Sequence, residues 1–362
     1  MLKLENISLL QFKNYPEKKL QFQARIVGLC GKNGIGKTNL LDAIHYLSFG
    51  KSYFHRTDSL SVMKGESGFR IDAQFQKNGK NESCFCILRE TGKKEIGINA
   101  IPYEKLSQHI GHYPCVVIAP DDAILITGES KERRSFIDQL ISQIDELYLK
   151  HLISYTKLIQ QRNALLKSMA ETQQKDDELL KVIDAQLEEP ALYIVTKRRD
   201  LFAEFSEKVI SIYQEIANAN SDELIEIIYQ TNLEGDNYGL LLNQSRNKDL
   251  YSMRTSIGPH RDEVEIKLNG QSFKVAASQG QRKSLLFALK LAELEILKDY
   301  KQFPPILLLD DVFEKLDETR IANLLKKVCL ENEGQVFITD TNSKRLSDQL
   351  KLIKVEHQII DL

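Results

Sequence analysis

The chain has 362 residues, of which 42% are hydrophobic, so it is long enough for a substantial core and for two domains or one large domain with an insertion. Its 49 Lys and Arg residues nearly balance its 51 Asp and Glu residues, which excludes a disordered acidic tail or a histone-like protein but not a local basic face. Five scattered cysteines without a CxxC pair argue against a disulfide framework or a zinc site, and no apolar stretch is long enough to span a membrane. The first ten residues lack the apolar core of a signal peptide, so we expect a cytoplasmic protein with no membrane partner.

The first third of the sequence predicts strands followed by a strand–loop–helix unit. Residues 2–10 alternate loosely, as a half-buried strand does, and a second short strand is expected at 19–22. The apolar run 25–30 is typical of a buried strand, and the apolar spacing of 38–47 favours a helix. Short alternating runs between 68 and 101 predict an antiparallel sheet.

The loop between this strand and helix, Gly31-Lys-Asn-Gly-Ile-Gly-Lys-Thr38, fits the phosphate-binding pattern GxxxxGK[ST]. Glycines let successive backbone N–H groups point at phosphate oxygens, and the helix N-terminus adds partial positive charge. We expect Lys37 to reach the β- and γ-phosphates of ATP and the Thr38 hydroxyl to bind Mg²⁺. The predicted nucleotide-binding residues of this loop are Gly31, Lys32, Asn33, Gly34, Ile35, Gly36, Lys37 and Thr38.

The middle of the chain predicts an inserted helical arm. Residues 131–230 contain a single proline, Pro190, and no glycine, and the apolar residues between 136 and 166 repeat every 3.5 to 3.6 positions. This pattern favours one long amphipathic helix with at least one partner helix after a polar hinge at 173–177. Packing of these helices on each other accounts for the apolar stripe better than a membrane or a partner does.

The last third returns to alternating strands and helices. Residues 264–275 predict a hairpin with an Asn269-Gly270 turn, followed by a helix over 281–297. Buried strands are expected at 305–310 and 335–339.

The first of these two strands ends in the acids Asp310 and Asp311. Because functional side chains of open α/β sheets emerge at the carboxyl edge, we expect both acids beside the phosphate-binding loop. We assign Asp310 to the Mg²⁺ shell and Asp311 to polarising the attacking water as a general base, which makes Lys37, Asp310 and Asp311 the candidate catalytic residues. The alternative is a solvated turn that happens to carry two acids.

A second anion cradle is predicted at the start of a helix, in Ser278-Gln-Gly-Gln-Arg282. Two anion cradles in one chain cannot both bind the single γ-phosphate of one nucleotide within that chain. ABC-type ATPases use both cradles by forming a head-to-head dimer, in which the serine turn of one copy closes on the nucleotide of the other. We therefore expect an ATP-dependent homodimer, with Asp317 in the loop that crosses its interface. The residues expected to contact nucleotide across that interface are Ser278, Gln279, Gly280 and Gln281. An ordinary helix N-cap explains the same segment if it stands alone.

In combination these segments resemble the RecF family of bacterial recombination-repair ATPases, which is related to SMC proteins. The resemblance runs through nearly the whole chain, in residues 9–15, 120–138, 255–262, 278–282, 308–312 and 316–317. It implies an α/β fold: an ABC-type P-loop ATPase head, with a mixed sheet, helices and an antiparallel sheet, into which an α-helical arm is inserted. The head would comprise 1–120 and 250–362, and the arm 121–249. The chain departs from the family pattern at Glu314-Lys315, where Ser-Glu is usual, and it has Thr339 or Asp340 where many ABC ATPases carry a histidine.

The resemblance also implies a function. Family members act as ATP-dependent dimers that grip single- and double-stranded DNA, promote recombinase loading at gaps with RecO and RecR, and are released by slow ATP hydrolysis. Candidate DNA contacts on the arm are Arg133, Arg134, Lys197, Arg198 and Arg199, although solvated or ion-paired helix charges are an equal alternative for each.

Two other functions are weighed against this one. A transporter's motor subunit would share the loop and the acids, but here Lys37 and Ser278 are 241 positions apart and the second cradle lacks Leu-Ser-Gly-Gly. A scaffold that dimerises on ATP without hydrolysing it stays open, because Asp311 is one methylene shorter than the glutamate common at that position.

Overall fold

The structure is a computed structural model that describes residues 1–172, 177–217, 223–233, 235, 237–311 and 318–362. The chain divides into two compact units. The first comprises Met1–Asp122, Ser211–Ala219 and Lys283–Leu362, and the second comprises Ala123–Ile210 and Asn220–Arg282. Residues 250–282, which the sequence analysis assigned to the head, therefore group with the helical segment in the second unit.

The amino-terminal part of the first unit is rich in strands. In chain order it contains β1 (Leu2–Phe12), β2 (Tyr15–Gln21), β3 (Ile26–Cys30), α1 (Lys37–Phe49), β4 (Phe69–Lys77), β5 (Lys80–Leu88), β6 (Lys94–Ile98), β7 (Ile101–Pro102) and β8 (Cys115–Ile118), with 3₁₀ turns at Asp58–Ser61, Leu106–Gln108 and Pro120–Ala123. Six of these strands form an antiparallel sheet in the order β2-β1-β4-β5-β6-β7, which confirms the sheet predicted between 68 and 101. On β1 the side chains of Leu2, Leu4, Ile7 and Leu9 are buried, so this strand covers one face of the core.

The second unit is mainly helical. In chain order it contains α2 (Ile124–Thr127), α3 (Ser130–Ile144), α4 (Glu146–Thr172), α5 (Asp177–Ala217) as far as Ile210, β9 (Ile225–Gln230), α6 (Tyr238–Ser252), a 3₁₀ turn at Pro259–Arg261, β10 (Glu263–Leu268), β11 (Gln271–Ser272), α7 (Phe273–Ala276) and the start of α8 (Gln279–Lys301). Strands β11, β10 and β9 form a small antiparallel sheet. Residues 173–176 of the predicted hinge lie outside the described residues, and Asp177 begins α5.

Three predictions in this unit are wrong in detail. The long helix from 131 is broken at Asp145, because this residue is extended and its carboxylate accepts the N–H of Tyr148 at 2.9 Å, which starts a new helix. Ile225–Gln230 is a strand, not part of the helical region, since its apolar, largely β-branched residues pair with β10. The hairpin ends at Ser272, where burial of Phe273 accompanies a short helical turn.

The carboxyl-terminal part of the first unit completes a second sheet. It adds most of α8, then β12 (Ile306–Leu309), α9 (Glu318–Leu325), a π-helical turn at Lys326–Glu331, β13 (Val336–Asp340), α10 (Ser343–Leu352) and β14 (His357–Asp361). Five strands pair parallel in the order β14-β3-β13-β12-β8, so the predicted buried strands at 25–30, 305–310 and 335–339 are confirmed. Because all run in one direction, the carboxyl ends of β3, β13 and β12 meet at one edge.

The cysteines are structural. All five are buried and free, and Cys84 and Cys86 lie on the same buried face of β5, as their spacing predicts. Within the described residues, no group of three or more His, Cys, Asp or Glu side chains is arranged to hold a metal. No helix in the described part of the chain combines the length and apolar character needed to cross a membrane.

Candidate nucleotide-binding site

The loop that carries the phosphate-binding pattern joins β3 to α1 at the carboxyl edge of the parallel sheet. Gly34 has φ +82° and Gly36 has φ +116°, a region that residues with a Cβ adopt only under strain. At Gly36 space is also limiting, because a Cβ would lie 2.6 Å from Asn14 Nδ2 and 2.8 Å from the Tyr15 hydroxyl. The exposed residues of the loop are Lys32, Asn33, Gly34 and Ile35.

Lys37 begins α1, and its side chain turns back over the loop. The buried ammonium donates hydrogen bonds to the carbonyl oxygens of Gly31 at 2.9 Å and Lys32 at 3.3 Å. Among the described residues, no carboxylate forms an ion pair with Lys37, so two neutral acceptors hold a cation at the mouth of the loop. This placement is suited to an incoming phosphate, which binds a cation more strongly than a carbonyl does.

Thr38 and Asp310 are brought into contact although they are 272 positions apart in the chain. The Thr38 hydroxyl lies 2.9 and 3.1 Å from the two carboxylate oxygens of Asp310, which directly follows β12. Hydroxyl and carboxylate oxygens are ligands that Mg²⁺ prefers, and such an ion usually takes few protein ligands and completes its shell with phosphates and water. The two residues predicted to hold the metal therefore have the donor chemistry and the proximity for it.

Thr339, at the end of β13, links both acids. Its fully buried hydroxyl donates to Asp310 Oδ1 at 2.9 Å and accepts the backbone N–H of Asp311 at 2.8 Å. Burial raises the pKa of the Asp310 carboxyl above its ordinary value, and the hydrogen bonds from Thr38 and Thr339 act in the opposite direction. Asp311 has φ +44°, so its N–H bond helps hold a backbone conformation that few residues adopt.

Asp340, the other residue considered for the position after the last strand, is engaged elsewhere. Its carboxylate pairs with Arg345 at 2.7 Å and accepts the N–H of Asn342 at 2.7 Å. These bonds stabilise the turn into α10, where Asn342 is the N-cap. Of the two alternatives, Thr339 is therefore the one that contacts the candidate metal site.

The turn between β1 and β2 braces the phosphate-binding loop, which the sequence analysis missed. Asn14 donates to the carbonyl of Ile35 at 2.8 Å, and the Tyr15 hydroxyl donates to the carbonyl of Gly36 at 3.0 Å. Asn39 in turn donates to Asn14 at 2.8 Å. Residues 9–15 attracted notice only as part of the family resemblance, and no local pattern indicates that this hairpin lies on the loop.

The second predicted cradle starts α8. The exposed Ser278 is its N-cap: Ser278 Oγ accepts the N–H of Gln281 at 3.2 Å, and the Gln281 side chain accepts the N–H of Ser278 at 2.7 Å. This reciprocal pair is a capping box, which presents an ordered helix N-terminus at an exposed turn. A contact of Ser278, Gln279, Gly280 or Gln281 with nucleotide across a dimer stays a prediction. Asp317 lies outside the described residues.

Two of the five candidate DNA contacts have structural roles instead. Arg198 is 3% exposed, binds Asp138 through two nitrogens at 2.9 and 3.0 Å, and donates to Asp262 at 2.8 Å. Arg133 donates three hydrogen bonds to the carbonyls of Val264, Leu125 and Gly128 at 2.6 to 3.1 Å. Neither guanidinium is free to move onto a DNA phosphate without breaking these bonds, so we correct both assignments.

The other three DNA candidates remain accessible. Lys197 is half-buried and lies 3.6 Å from Asp145, and Arg199 is exposed with one bond to the carbonyl of Leu233 at 3.3 Å. Arg134 is half-buried and donates from one nitrogen to the carbonyl of Asp262. For these residues a DNA contact stays a prediction.

Comparisons with known proteins agree over almost the whole chain. The family model described as the RecF/RecN/SMC N terminal domain matches residues 3–360. A protein of Flavobacterium johnsoniae named DNA replication and repair protein RecF is 40% identical over 359 residues, covering 99% of both chains. A protein of the same name from Parabacteroides distasonis is 40% identical over 347 residues, covering 96% of this chain and 93% of its own.

Solved structures are also similar to this chain over almost its whole length. One described as the recombination mediator protein RecF-ATP in the RecFOR pathway is similar with a TM-score of 0.87 and 31% identity, covering 94% of this chain and 92% of its own. An Smc head domain from Pyrococcus furiosus, at a TM-score of 0.54 and 17% identity, shares the fold.

The fold and the site together define an ABC-type P-loop ATPase head with an inserted helical arm, as predicted. Within that class, the length and identity of the matches are decisive: the chain belongs to the RecF family. This membership is incompatible with the transporter motor subunit considered from the sequence.

Proposed function

We propose that this protein is an ATP-dependent DNA-binding switch of recombinational repair and replication. The contact of Thr38 with Asp310 is the observation that carries the proposal, because it brings together, beside the phosphate-binding loop, two side chains with the oxygen donors that Mg²⁺ prefers. The relatives named as DNA replication and repair proteins, and the similar structure described as RecF-ATP, support the choice of nucleotide and of process.

In this proposal the loop and Lys37 bind the triphosphate of ATP. Thr38 and Asp310 would hold Mg²⁺, which would supply positive charge beside the phosphates, and Asp311 would orient and deprotonate the attacking water. A carboxylate that is short and held in a constrained backbone supports slow hydrolysis, of the kind that times a switch.

ATP would join two copies of the chain. The Ser278 capping box exposes an ordered helix N-terminus, which suits an anionic phosphate presented by another molecule. We propose that this turn closes on the nucleotide held by a second copy, so that ATP drives a homodimer and hydrolysis opens it.

The dimer would grip single- or double-stranded DNA in the cytoplasm and act with RecO and RecR to load recombinase at gaps. The description of the similar structure as part of a RecFOR pathway supports these partners. DNA binding is expected to weaken as salt is added, because neutralised phosphates release counterions.

Sedimentation with and without ATP and DNA tests the nucleotide and the dimer together. Lys37→Ala should lower ATP affinity by roughly 10- to 150-fold, as about 1.5–3 kcal/mol for a charged hydrogen bond implies, and should therefore prevent dimerisation at an ATP concentration that just saturates the parent. Ser278→Arg should leave ATP binding by the monomer intact and stop dimerisation, because it places a long cationic side chain on the exposed turn.

A matched control is Ser168→Arg, which puts the same side chain on an exposed position of α4 and should dimerise like the parent. If Lys37→Ala and Ser278→Arg both still dimerise with ATP, the shared-nucleotide proposal fails. An unchanged ATPase rate in Asp311→Asn would favour the non-hydrolysing scaffold instead.

A further inference from the structure

The second unit contains a cavity of about 550 Å³ whose walls are dominated by cations. It lies between the start of α3, the strand β10 and the segment from β11 to α7. We call it the basic cavity, and its cationic residues are Lys131, Arg133, Arg134, Arg261, Lys267 and Lys274. Three carboxylates also line it, so its walls carry an excess of three positive charges.

Two of the three carboxylates are engaged by their neighbours. Glu263 accepts the hydroxyl of Ser130, whereas at Glu129 it is the backbone N–H that is bonded, to the carboxylate of Glu132 at 3.0 Å. Glu265 pairs with Lys267 at 3.2 Å. Among the six cations, only Lys267 forms an ion pair with one of these carboxylates.

Of the other five cations, Arg133 is held by three carbonyl oxygens of the wall and is not counted as a phosphate ligand. Lys131, Arg134, Arg261 and Lys274 form no ion pair with any carboxylate of the described residues. Arg261 donates two hydrogen bonds to the carbonyl of Thr255, at 3.1 and 3.2 Å, which orients its guanidinium without neutralising it. Arg134 is oriented in the same way by the carbonyl of Asp262. The result is a concave surface with uncompensated charge and partly ordered side chains.

This chemistry is suited to phosphate. Guanidinium groups bind phosphate oxygens through two parallel hydrogen bonds, and lysines attract them as point charges. The volume lies within the roughly 300–1,000 Å³ that ligand sites occupy. The aromatic residue in the wall, Phe273, is 1% exposed, so its ring offers no platform on which a base could stack.

We propose that the basic cavity binds the phosphate backbone of a nucleic acid strand. A phosphodiester backbone fits better than a free nucleotide, because phosphates are recognised and bases are not, and because Lys131 and Lys274 are exposed where a long strand can continue past the cavity. The inference rests on the proposed DNA-binding function and deepens it: of the five arm residues predicted from the sequence the contact surface keeps Arg134, and it adds Lys131 and the segment 261–274.

The experiment uses the full chain with Mg²⁺ and ATP and measures binding of fluorescent single- and double-stranded oligonucleotides between about 50 and 200 mM salt. The test variant is the double substitution Lys131→Gln and Lys274→Gln. Its matched control is Lys150→Gln and Lys167→Gln, which removes two exposed lysines from α4 of the same unit, with the same change in net charge. Thermal unfolding of each variant verifies that the fold is retained.

We expect the cavity variant to bind DNA about tenfold more weakly and to lower the slope of log affinity against log salt by up to about 1.8 on duplex and about 1.4 on single strands, which corresponds to two lost phosphate contacts. The control should keep the slope of the parent. An unchanged slope in the cavity variant, or an equal loss in the control, overturns the proposal while leaving the DNA-binding function intact. Failure of the parent itself to bind DNA overturns the proposed function as well.

A second measurement distinguishes binding of a nucleic acid strand in the basic cavity from binding of a free nucleotide there. ATP is raised tenfold beyond saturation of the phosphate-binding loop, at constant ionic strength. If the cavity takes free nucleotide, DNA is displaced from the parent and not from the cavity variant, which contradicts the proposal. Equal DNA affinity at both ATP concentrations supports it.

Discussion

The most direct test of the site is the removal of the Thr339 hydroxyl. Thr339→Val keeps nearly the same shape but deletes two buried hydrogen bonds, one to the Asp310 carboxylate and one from the N–H of Asp311. A bond to a charged group contributes about 1.5–3 kcal/mol, and leaving a buried N–H unsatisfied costs about 1–3 kcal/mol. We therefore expect the first unit to lose about 2.5–6 kcal/mol of unfolding free energy, which lowers its melting temperature by at least about 5 °C.

The loss should depend on pH in a defined direction. The hydroxyl of Thr339 favours the charged form of Asp310, so its removal raises the pKa of Asp310 further. The difference in stability between parent and variant should therefore widen as the pH rises through the titration of Asp310 and narrow at acid pH. The acid limb of ATP hydrolysis should shift to higher pH for the same reason.

Calorimetry of the nucleotide-free protein measures the first effect, and a pH profile of ATP turnover measures the second. Thr339→Ser is the matched control, since it keeps the hydroxyl and loses only a methyl group. If Thr339→Val melts with the parent, or if Thr339→Ser shows the same loss, then the bridge between the two acids does not stabilise the site and the reasoning fails.

Two further predictions follow from buried groups of the first unit. Tyr15→Phe removes one hydrogen bond to the phosphate-binding loop, worth about 0.5–1.5 kcal/mol, and should weaken ATP binding by roughly 2- to 12-fold in equilibrium titration. Tyr113→Phe, which removes a hydroxyl bond to the Glu82 carboxylate away from the loop, should leave that affinity unchanged, and equal effects would contradict a bracing role. Glu293 shares the buried Lys290 with Asp122, and burial raises its pKa from 4.5 to about 7, so the folded state binds the extra proton and stability falls as the pH rises between these values. Glu293→Gln should remove this part of the pH dependence of the urea midpoint, and parallel curves for the two proteins would refute it.

Local patterns predicted the parts of the site that are local in sequence. The phosphate-binding loop was predicted because the glycines, Lys37 and Thr38 occur together between a strand and a helix. The contact of Thr38 with Asp310 is long-range, yet it was also predictable, because parallel strands bring their carboxyl ends to one edge whatever their distance in the chain.

What the sequence could not show depends on tertiary packing. Nothing in residues 9–15 indicates that Tyr15 reaches the loop, since that contact requires the antiparallel sheet to be in place first. In the sequence, Arg198 cannot be distinguished from Lys197 and Arg199, which are also cations of the same helix. Helical periodicity did not reveal that Arg198 pairs with two acids from other segments of the chain. Asp145 ends a helix because its side chain caps the next helix. This hydrogen bond from the backbone to a side chain competes with continued helix formation, and the spacing of apolar residues does not indicate it.

The buried carboxylate of Asp310 shows why the site is built from hydroxyls. An acid that is only 4% exposed at a strand end is costly to ionise, and a lysine placed against it would satisfy the charge and leave nothing for a metal. Hydroxyls from Thr38 and Thr339 instead orient the carboxylate while leaving it under-compensated. The folded chain therefore contains an acid whose negative charge is only partly stabilised. This acid lies at the carboxyl edge of the parallel sheet, beside the phosphate-binding loop. Under the proposed function, a cation bound with ATP would compensate this carboxylate, so binding of Mg²⁺ and ATP is expected to stabilise this unit.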